Sequence, residues 1–306
     1  MPVVTSKKDP SNTARIRKQA LAEYNQRLRR ARIKIKELFK LIPRERIVQR
    51  VIPNVETVSL WNYDITEFEL SRLETDIELI IRGELETATV DPPFGWWFAK
   101  YDEQAYRVGA VQENINIQQL VSGLIVLPFV LSDEQLLARP LIVDNIAKEV
   151  RASYTAISGM SDRTSNRVFQ TIVNGINGNR SPREIREEIN AAFDIASNDA
   201  KRIVDTEINR ANNNARTATA QLYRDEFGIP TAVLHISALL SVTRASHAAR
   251  HGNVYTPEQQ NEWWSRDHNR INCKCSVRTV LLDSEGRVIE TALQERLIKQ
   301  RPFFSG

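Results

Sequence analysis

Residues 181–228 read SPREIREEINAAFDIASNDAKRIVDTEINRANNNARTATAQLYRDEFG, and this stretch decides the fold class. Ser181-Pro182-Arg183-Glu184 has the form of a capping box, with Pro at the first helical position, where its missing N–H costs nothing. Ser197 reads as the cap of a helix that carries Ala200, Ile203, Val204, Ile208, Ala211 and Ala215 on one side. Gly228 reads as the stop. Apolar residues three and four apart, bounded by caps and a glycine, predict helices.

The same pattern extends outward. Ser132-Asp-Glu-Gln135 is a second capping box, and Gly175 and Gly178 mark breaks, so residues 96–229 are expected to form a helical body. Residues 64–82 predict a polar helix with Leu70, Leu73, Ile77, Ile80 and Ile81 on one face, Phe68 off that face and Gly83 as the stop. Residues 13–42 lack Gly and Pro and repeat apolar residues at Ile16, Ala20, Tyr24, Leu28, Ile35, Leu38, Phe39 and Ile42, which predicts a long helix. Pro43, Pro53 and Pro92–Pro93 punctuate the chain between these segments. Phe94-Gly-Trp96-Trp97-Phe98 reads as a core anchor or inter-domain joint, with a partner interface as the alternative. After Pro230 the composition changes. Ala232–Leu240 reads as a strand or buried segment, and Val277–Leu282 and Arg287–Ile289 flank Asp283-Ser-Glu-Gly286, a hairpin signal. The expectation is a mainly α protein with a helical N-terminal and central body and a small α+β C-terminal module. Its segments are a basic helical arm (1–50), an acidic helical segment (51–95), the helical body (96–229) and the module (230–306).

Of the 306 residues 42% are hydrophobic, enough for a core, so wholesale disorder is excluded. No run reaches the ~18–20 apolar residues of a membrane span, and Leu120–Leu131 reads instead as a buried element. Met1–Asp9 has no apolar stretch, so no secretory signal is expected. Two cysteines, Cys273 and Cys275, cannot build a disulfide framework, which fits folding in a reducing cytoplasm.

The net charge of +4 hides a split. Residues 1–50 hold fifteen Lys/Arg and four acids, a balance of +11, and the rest of the chain carries −7. Residues 51–95 alone hold ten acids and two bases. Arg27, Arg29, Arg30, Arg32, Lys34, Lys36 and Lys40 are dense enough to neutralise several DNA phosphates without reading sequence. The alternatives are a solvated helix, or attraction between the basic and acidic segments themselves.

All four His (235, 247, 251, 268) and both Cys fall between 235 and 275. His247 and His251 share a helical face at i, i+4, and Cys273-Lys-Cys275 adds two thiolates. Together they make a two-Cys, two-His set suited to tetrahedral zinc in a structural role, with His268 as an alternative ligand. Packed, reduced cysteines with hydrogen-bonded histidines and no metal are the other reading. Glu207 points toward an otherwise apolar face, so it should be paired, and Arg244 is a plausible partner.

These residues also carry a resemblance. Thr243-Arg244-x-Ser-His247-x4-Gly252, followed by Asn272-Cys-Lys-Cys275, resembles the closing signature of the phage head morphogenesis family, the minor head proteins typified by the phage Mu F protein. Ser197-x2-Ala200-x2-Ile203-x2-Thr206-Glu207-x2-Arg210-Ala211 is similar to the helix that precedes that signature, and the likeness covers roughly residues 140–282. Leu240 and Val242 stand where the family commonly has Asp and Arg, and His251 where Asp or Asn is common. The resemblance makes Thr206, Glu207, Arg244, Gly252 and Asn272 a structural motif. It implies a non-enzymatic minor head protein, made in the host cytoplasm and carried in the virion. There it would lie inside the head near the portal, meeting portal or major capsid protein and packaged double-stranded DNA, and aiding capsid assembly and DNA packaging, retention or delivery.

The alternative from the residues alone is a metal-dependent nuclease built on the C-terminal module, which needs an open metal position, a general base and phosphate-clamping cations, parts in which Asp267, His268 and Arg270 could be cast. No complete motif surrounds them. The phosphate-binding loop of an ATPase, the nucleophile elbow and the His-Glu-x-x-His helix are missing as well.

Overall fold

The apolar spacing that predicts helices is realised as long helices whose buried residues recur every three or four positions. The computed structural model describes residues 9–49, 58–87, 95–122 and 131–301. Within them the chain runs α1 (Ala14–Lys40), β1 (Arg44–Gln49), β2 (Val58–Tyr63), α2 (Glu67–Leu85), α3 (Ala99–Ser122), α4 (Asp133–Leu137), α5 (Pro140–Asn177) and α6 (Pro182–Phe227). The remainder is β3 (Thr231–Ile236), α7 (Ala245–Ala249), β4 (Val254–Tyr255), α8 (Pro257–Ser265), β5 (Ser276–Leu281) and α9 (Ala292–Ile298). The protein is mainly α with a small α+β module at its C-terminal end, as expected. Most of Leu120–Leu131, together with Pro53, Pro92–Pro93 and Phe94, lies outside the described residues.

Two compact units divide the chain. One comprises Met1–Ala20, Phe98–Ser153 and Arg202–Gly306, and the other Leu21–Trp97 and Tyr154–Lys201. Three of the four divisions fall inside α1, α5 and α6, and the fourth lies between Trp97 and Phe98, just before α3.

In the unit formed by Leu21–Trp97 and Tyr154–Lys201, α1 buries Tyr24, Leu28, Ala31, Ile35 and Phe39 along one stripe. α2 buries Leu73, Ile77, Ile81 and Leu85 at successive turns and leaves Phe68 and Leu79 exposed. The Thr66–Glu69 capping box starts α2. That helix does not stop at Gly83 but runs to Leu85, because the burial of Glu84 and Leu85 outweighs the cost of about 1 kcal/mol for a helical glycine. Buried Glu84 is what joins the basic and acidic segments: Arg30 Nε reaches its Oε2 at 2.8 Å and Lys34 Nζ its Oε1 at 2.7 Å. Arg27 donates to the Glu84 carbonyl at 2.8 Å and lies over the Trp97 ring.

Near the other end of the same unit, α5 passes so close to α6 that a Cβ on Gly175 would lie 2.4 Å from Ile185 Cγ1. That glycine sits inside α5 and permits the approach; the helix ends two residues later. Ser197 does not start a helix either. α6 is continuous from Pro182, and Ser197 Oγ donates to Asn25 Oδ1 at 2.8 Å. The antiparallel ribbon of β1 and β2 pairs Arg44 with Tyr63 and Gln49 with Val58. It is anchored by Trp61 N donating to Asn179 O and Tyr63 Oη to Arg180 O.

The other unit holds a three-stranded antiparallel sheet in the order β4-β3-β5. β3 is buried on both faces: Val233 packs with Ala220, Trp264 and Val277, while Ala232 and Leu234 pack with Val280 and Leu297. The chain leaves α6 for β3 through a left-handed cap, with Gly228 at φ +65° and its N–H donating to Arg224 O at 3.1 Å. The hairpin beyond β5 closes with Leu282 bridged to Val288 and Gly286 at φ +78°.

Candidate metal centre

Three residues of α6 prepare the site. Thr206, Asn209 and Asn213 fall on one helical face. Asn209 Nδ2 donates to the carbonyls of Cys273 (2.8 Å) and Cys275 (3.0 Å), and Asn213 Nδ2 donates to Cys275 O at 3.0 Å. Thr206 Oγ1 accepts from Asn272 N at 2.8 Å. Asn272 takes a left-handed φ of +52°, which turns the chain so that both cysteines enter the interior. From the other side Arg244, the residue before α7, donates to the carbonyls of His268, Asn269 and Ile271. The loop 266–275 is therefore held by side chains that bond its backbone.

Inside that frame His247 Nδ1 lies 3.4 Å from Cys275 Sγ and 3.4 Å from Cys273 Sγ. Donor atoms of His247, Cys273 and Cys275 all lie within 4.8 Å of one another, and the three residues are buried. A possible His/Cys metal site is thus present in the fold. Hydrogen bonds from Cys275 and His247 hold the Cys273 thiol well below its usual range, whereas Cys273 beside it and burial push the Cys275 thiol well above. The pair gives up one proton readily and resists losing the second.

The structure does not bring the other histidines into this group. His251 is buried, but its Nδ1 accepts from Ser237 N at 2.9 Å and its Nε2 faces Gln300 Oε1 at 3.4 Å. His268 is exposed at φ +56°. His235 is fully buried against Trp263 and Trp264, with Nδ1 at 3.2 Å from Gln260 Oε1. Gly252 follows His251 at φ +80°, and its N–H donates to His235 O. A Cβ there would meet Ile298 Cγ1 at 2.9 Å, so the backbone angle and the packing both call for glycine.

Glu207 does not pair with Arg244. Its partners are Arg210 Nη1 at 2.5 Å and Ser153 Oγ at 3.2 Å, because Arg210 lies one turn along the same helix while Arg244 is engaged by the loop carbonyls. Arg210 also reaches Glu149 Oε2 at 2.8 Å. Burial raises the Glu207 carboxyl, with Arg210 opposing, and it raises the fully buried Asp102 well above its usual range, with Glu207 adding to the effect. Sequence reading missed Asn209 and Asn213. The available signal was a pair of Asn at i, i+4 on the buried side of a long helix, where an amide is costly unless it is bonded.

Burial lowers the His235 pKa to about 3, with Arg250 the next cause. Unfolded chains protonate His near ~6.5, so below that pH the unfolded state binds a proton that the folded state refuses. Stability from this group is complete above pH ~6.5 and falls as pH drops from there toward 3. Between pH 7.5 and 5 the loss is about 2 kcal/mol. Urea denaturation at both pH values should show wild type losing about that much more than His235→Gln; equal losses would remove His235 as the cause.

Residues 162–278 match the family described as "Phage Mu protein F like protein". That match agrees with the resemblance that the sequence carries. The Mu F-like region begins within α5 and ends within β5, inside the stretch 140–282 where the sequence carries the resemblance. It contains the Thr206–Asn213 face, Arg244, His247 and both cysteines. Comparison with curated proteins and with solved structures gives no match. Among the described residues no helix is long and apolar enough to cross a membrane.

Proposed function

We propose that the chain is a minor head protein of a tailed phage, present in a few copies inside the head near the portal vertex. There it aids capsid assembly and the packaging, retention or delivery of DNA, with portal or major capsid protein as neighbours. The observation that carries this reading is the Mu F-like match over 162–278, whose residues build the loop-holding face of α6 and the His/Cys centre. The role is non-enzymatic, and we assign the zinc expected of the C-terminal module a bracing part in it. Mass spectrometry of purified procapsids and virions should find the protein at a small fraction of the major capsid protein's abundance. Absence from both particles would overturn the proposal.

Residue placement weighs against the nuclease alternative. Arg270 donates to Asn214 Oδ1 at 2.7 Å and lies 5.1 Å from the Trp264 ring, so the phosphate clamp it would supply is occupied. Asp267 and His268 sit together on an exposed turn at positive φ.

The DNA-facing role falls to the exposed cations of α1, since Arg27, Arg30 and Lys34 are engaged with Glu84. Arg32 approaches Asp194 at 3.9 Å, and Lys40 pairs with Glu37 at 2.7 Å. Arg29 is exposed and Lys36 half-buried on the same helix. Binding to duplex DNA should show no sequence preference, and its affinity should fall steeply with salt. Arg29→Glu with Lys40→Glu should weaken it at least tenfold. Deleting residues 1–50 is not an equivalent test, because it removes the buried stripe of α1. Unchanged binding by the double variant would sink the DNA role of this helix.

A further inference from the structure

We propose that His247 Nδ1, Cys273 Sγ and Cys275 Sγ hold one zinc ion as a three-donor site, with the fourth coordination position filled by a ligand from outside this chain. The inference deepens the bracing role given to zinc above and does not depend on where the protein sits in a particle.

Three observations carry it. The first is spacing. Zinc bonds sulfur at ~2.3 Å and nitrogen at ~2.0–2.1 Å, so a tetrahedral site sets its nitrogen and sulfur ligands about 3.6 Å apart. Here the ring nitrogen is 3.4 Å from each of the two sulfurs, and the three donor atoms all lie within 4.8 Å of one another, so they can converge on one ion. The donor types are thiolate and imidazole, which suit zinc and exclude magnesium and calcium.

The second is charge. Two thiolates side by side repel each other, and a divalent cation bound between them offsets that repulsion. Binding zinc releases the thiol protons to solvent and forms two Zn–S bonds and one Zn–N bond, with no change in oxidation state. The surroundings already support negative sulfur. Cys275 N–H points at Cys273 Sγ at 3.4 Å. Arg270 and Arg250 place positive charge near Cys273 and Cys275 respectively.

The third concerns which side chains are committed elsewhere. His251, the donor that helical spacing would add, uses Nδ1 to accept from Ser237 N and turns Nε2 to Gln300. His268 lies exposed on its turn. Among the described residues the group of potential ligands contains His247, Cys273 and Cys275 and no fourth member. Four protein ligands close a zinc site, whereas three leave a position for water or an incoming donor.

The full-length chain, purified reduced and without chelator, should carry one zinc per molecule by plasma mass spectrometry. His247→Ala, Cys273→Ser and Cys275→Ser should each weaken zinc binding at least tenfold, and His251→Ala and His268→Ala should leave it within twofold. Cobalt loaded into wild type should give thiolate charge-transfer absorption and strong tetrahedral visible bands, and added azide should shift those bands through the fourth position. This reads the donor set without relying on variants that fold poorly. Stoichiometric zinc should also protect both thiols of wild type from alkylation. Reduced wild type that takes up neither zinc nor cobalt would overturn the site. Zinc loss in His251→Ala equal to that in His247→Ala, or visible bands unmoved by azide, would overturn the three-donor assignment.

Discussion

Glu113→Ala should cost about 3–5 kcal/mol of stability in urea denaturation, the range for removing one partner of a buried ion pair. Glu113, on α3, is fully buried and meets Arg216 Nη1 of α6 at 2.9 Å, where the guanidinium side chain is 5% exposed. Its other oxygen accepts from Thr279 N at 2.6 Å and Asn116 Nδ2 at 2.8 Å. One carboxylate therefore satisfies groups on α3, α6 and β5. Removing it leaves a buried guanidinium short of its counter-charge and a strand N–H short of its acceptor. The pair alone is weak grounds for calling the native state stabilised, since burying two charges costs much of what their attraction returns. The asymmetry lies in breaking it. Glu187→Ala, which removes the exposed partner of Arg183, should change stability immeasurably. A Glu113→Ala loss below about 1 kcal/mol would mean that Arg216 finds new partners or water.

Trp96→Ala should cost about 3–5 kcal/mol, the range for emptying a buried aromatic site. Trp96 is 2% exposed and meets Trp97 and Tyr154 edge to face at 5.9 and 5.3 Å. Trp96 and Trp97 both donate their indole N–H to the carbonyl of Leu85, the last residue of α2. The carbonyls in the last turn of a helix have no partner within it, so the two rings fill the core and also cap the helix. Trp96→Phe keeps most of the volume and loses one of two donors to the same oxygen, so it should cost less than half as much. Equal losses for Phe and Ala would show that the indole N–H, and not the ring volume, dominates.

Features that depend on neighbours in sequence were legible before the structure. The stripes of α1 and α2, the capping boxes at Ser132 and Ser181, the strand after Pro230 and the turn at Asp283–Gly286 all follow from spacing and turn chemistry. Features set by distant partners were not. Ser197 has the residue type of a helix cap, but helical residues on both sides and a bond to Asn25 keep it inside α6. Gly83 has the type of a stop, but burial of the next two residues carries α2 past it. The β1–β2 ribbon was read only as punctuation around Pro43 and Pro53, since a short two-stranded ribbon with mixed polarity leaves little periodic signal. At the site, spacing pointed to His247 and both cysteines. It could not show that His251, one turn from His247, is committed to Ser237, nor that Arg244 serves the loop carbonyls and leaves Glu207 to Arg210.

The amides of Asn209 and Asn213 bond the carbonyl oxygens of Cys273 and Cys275, not their sulfurs. The path of that loop is therefore set independently of thiol chemistry. Its ordering entropy is met when the loop folds onto α6, so a group arriving at the sulfurs finds a template already in place. Loss of whatever the sulfurs hold would then leave the loop's backbone on its course, still bonded to α6.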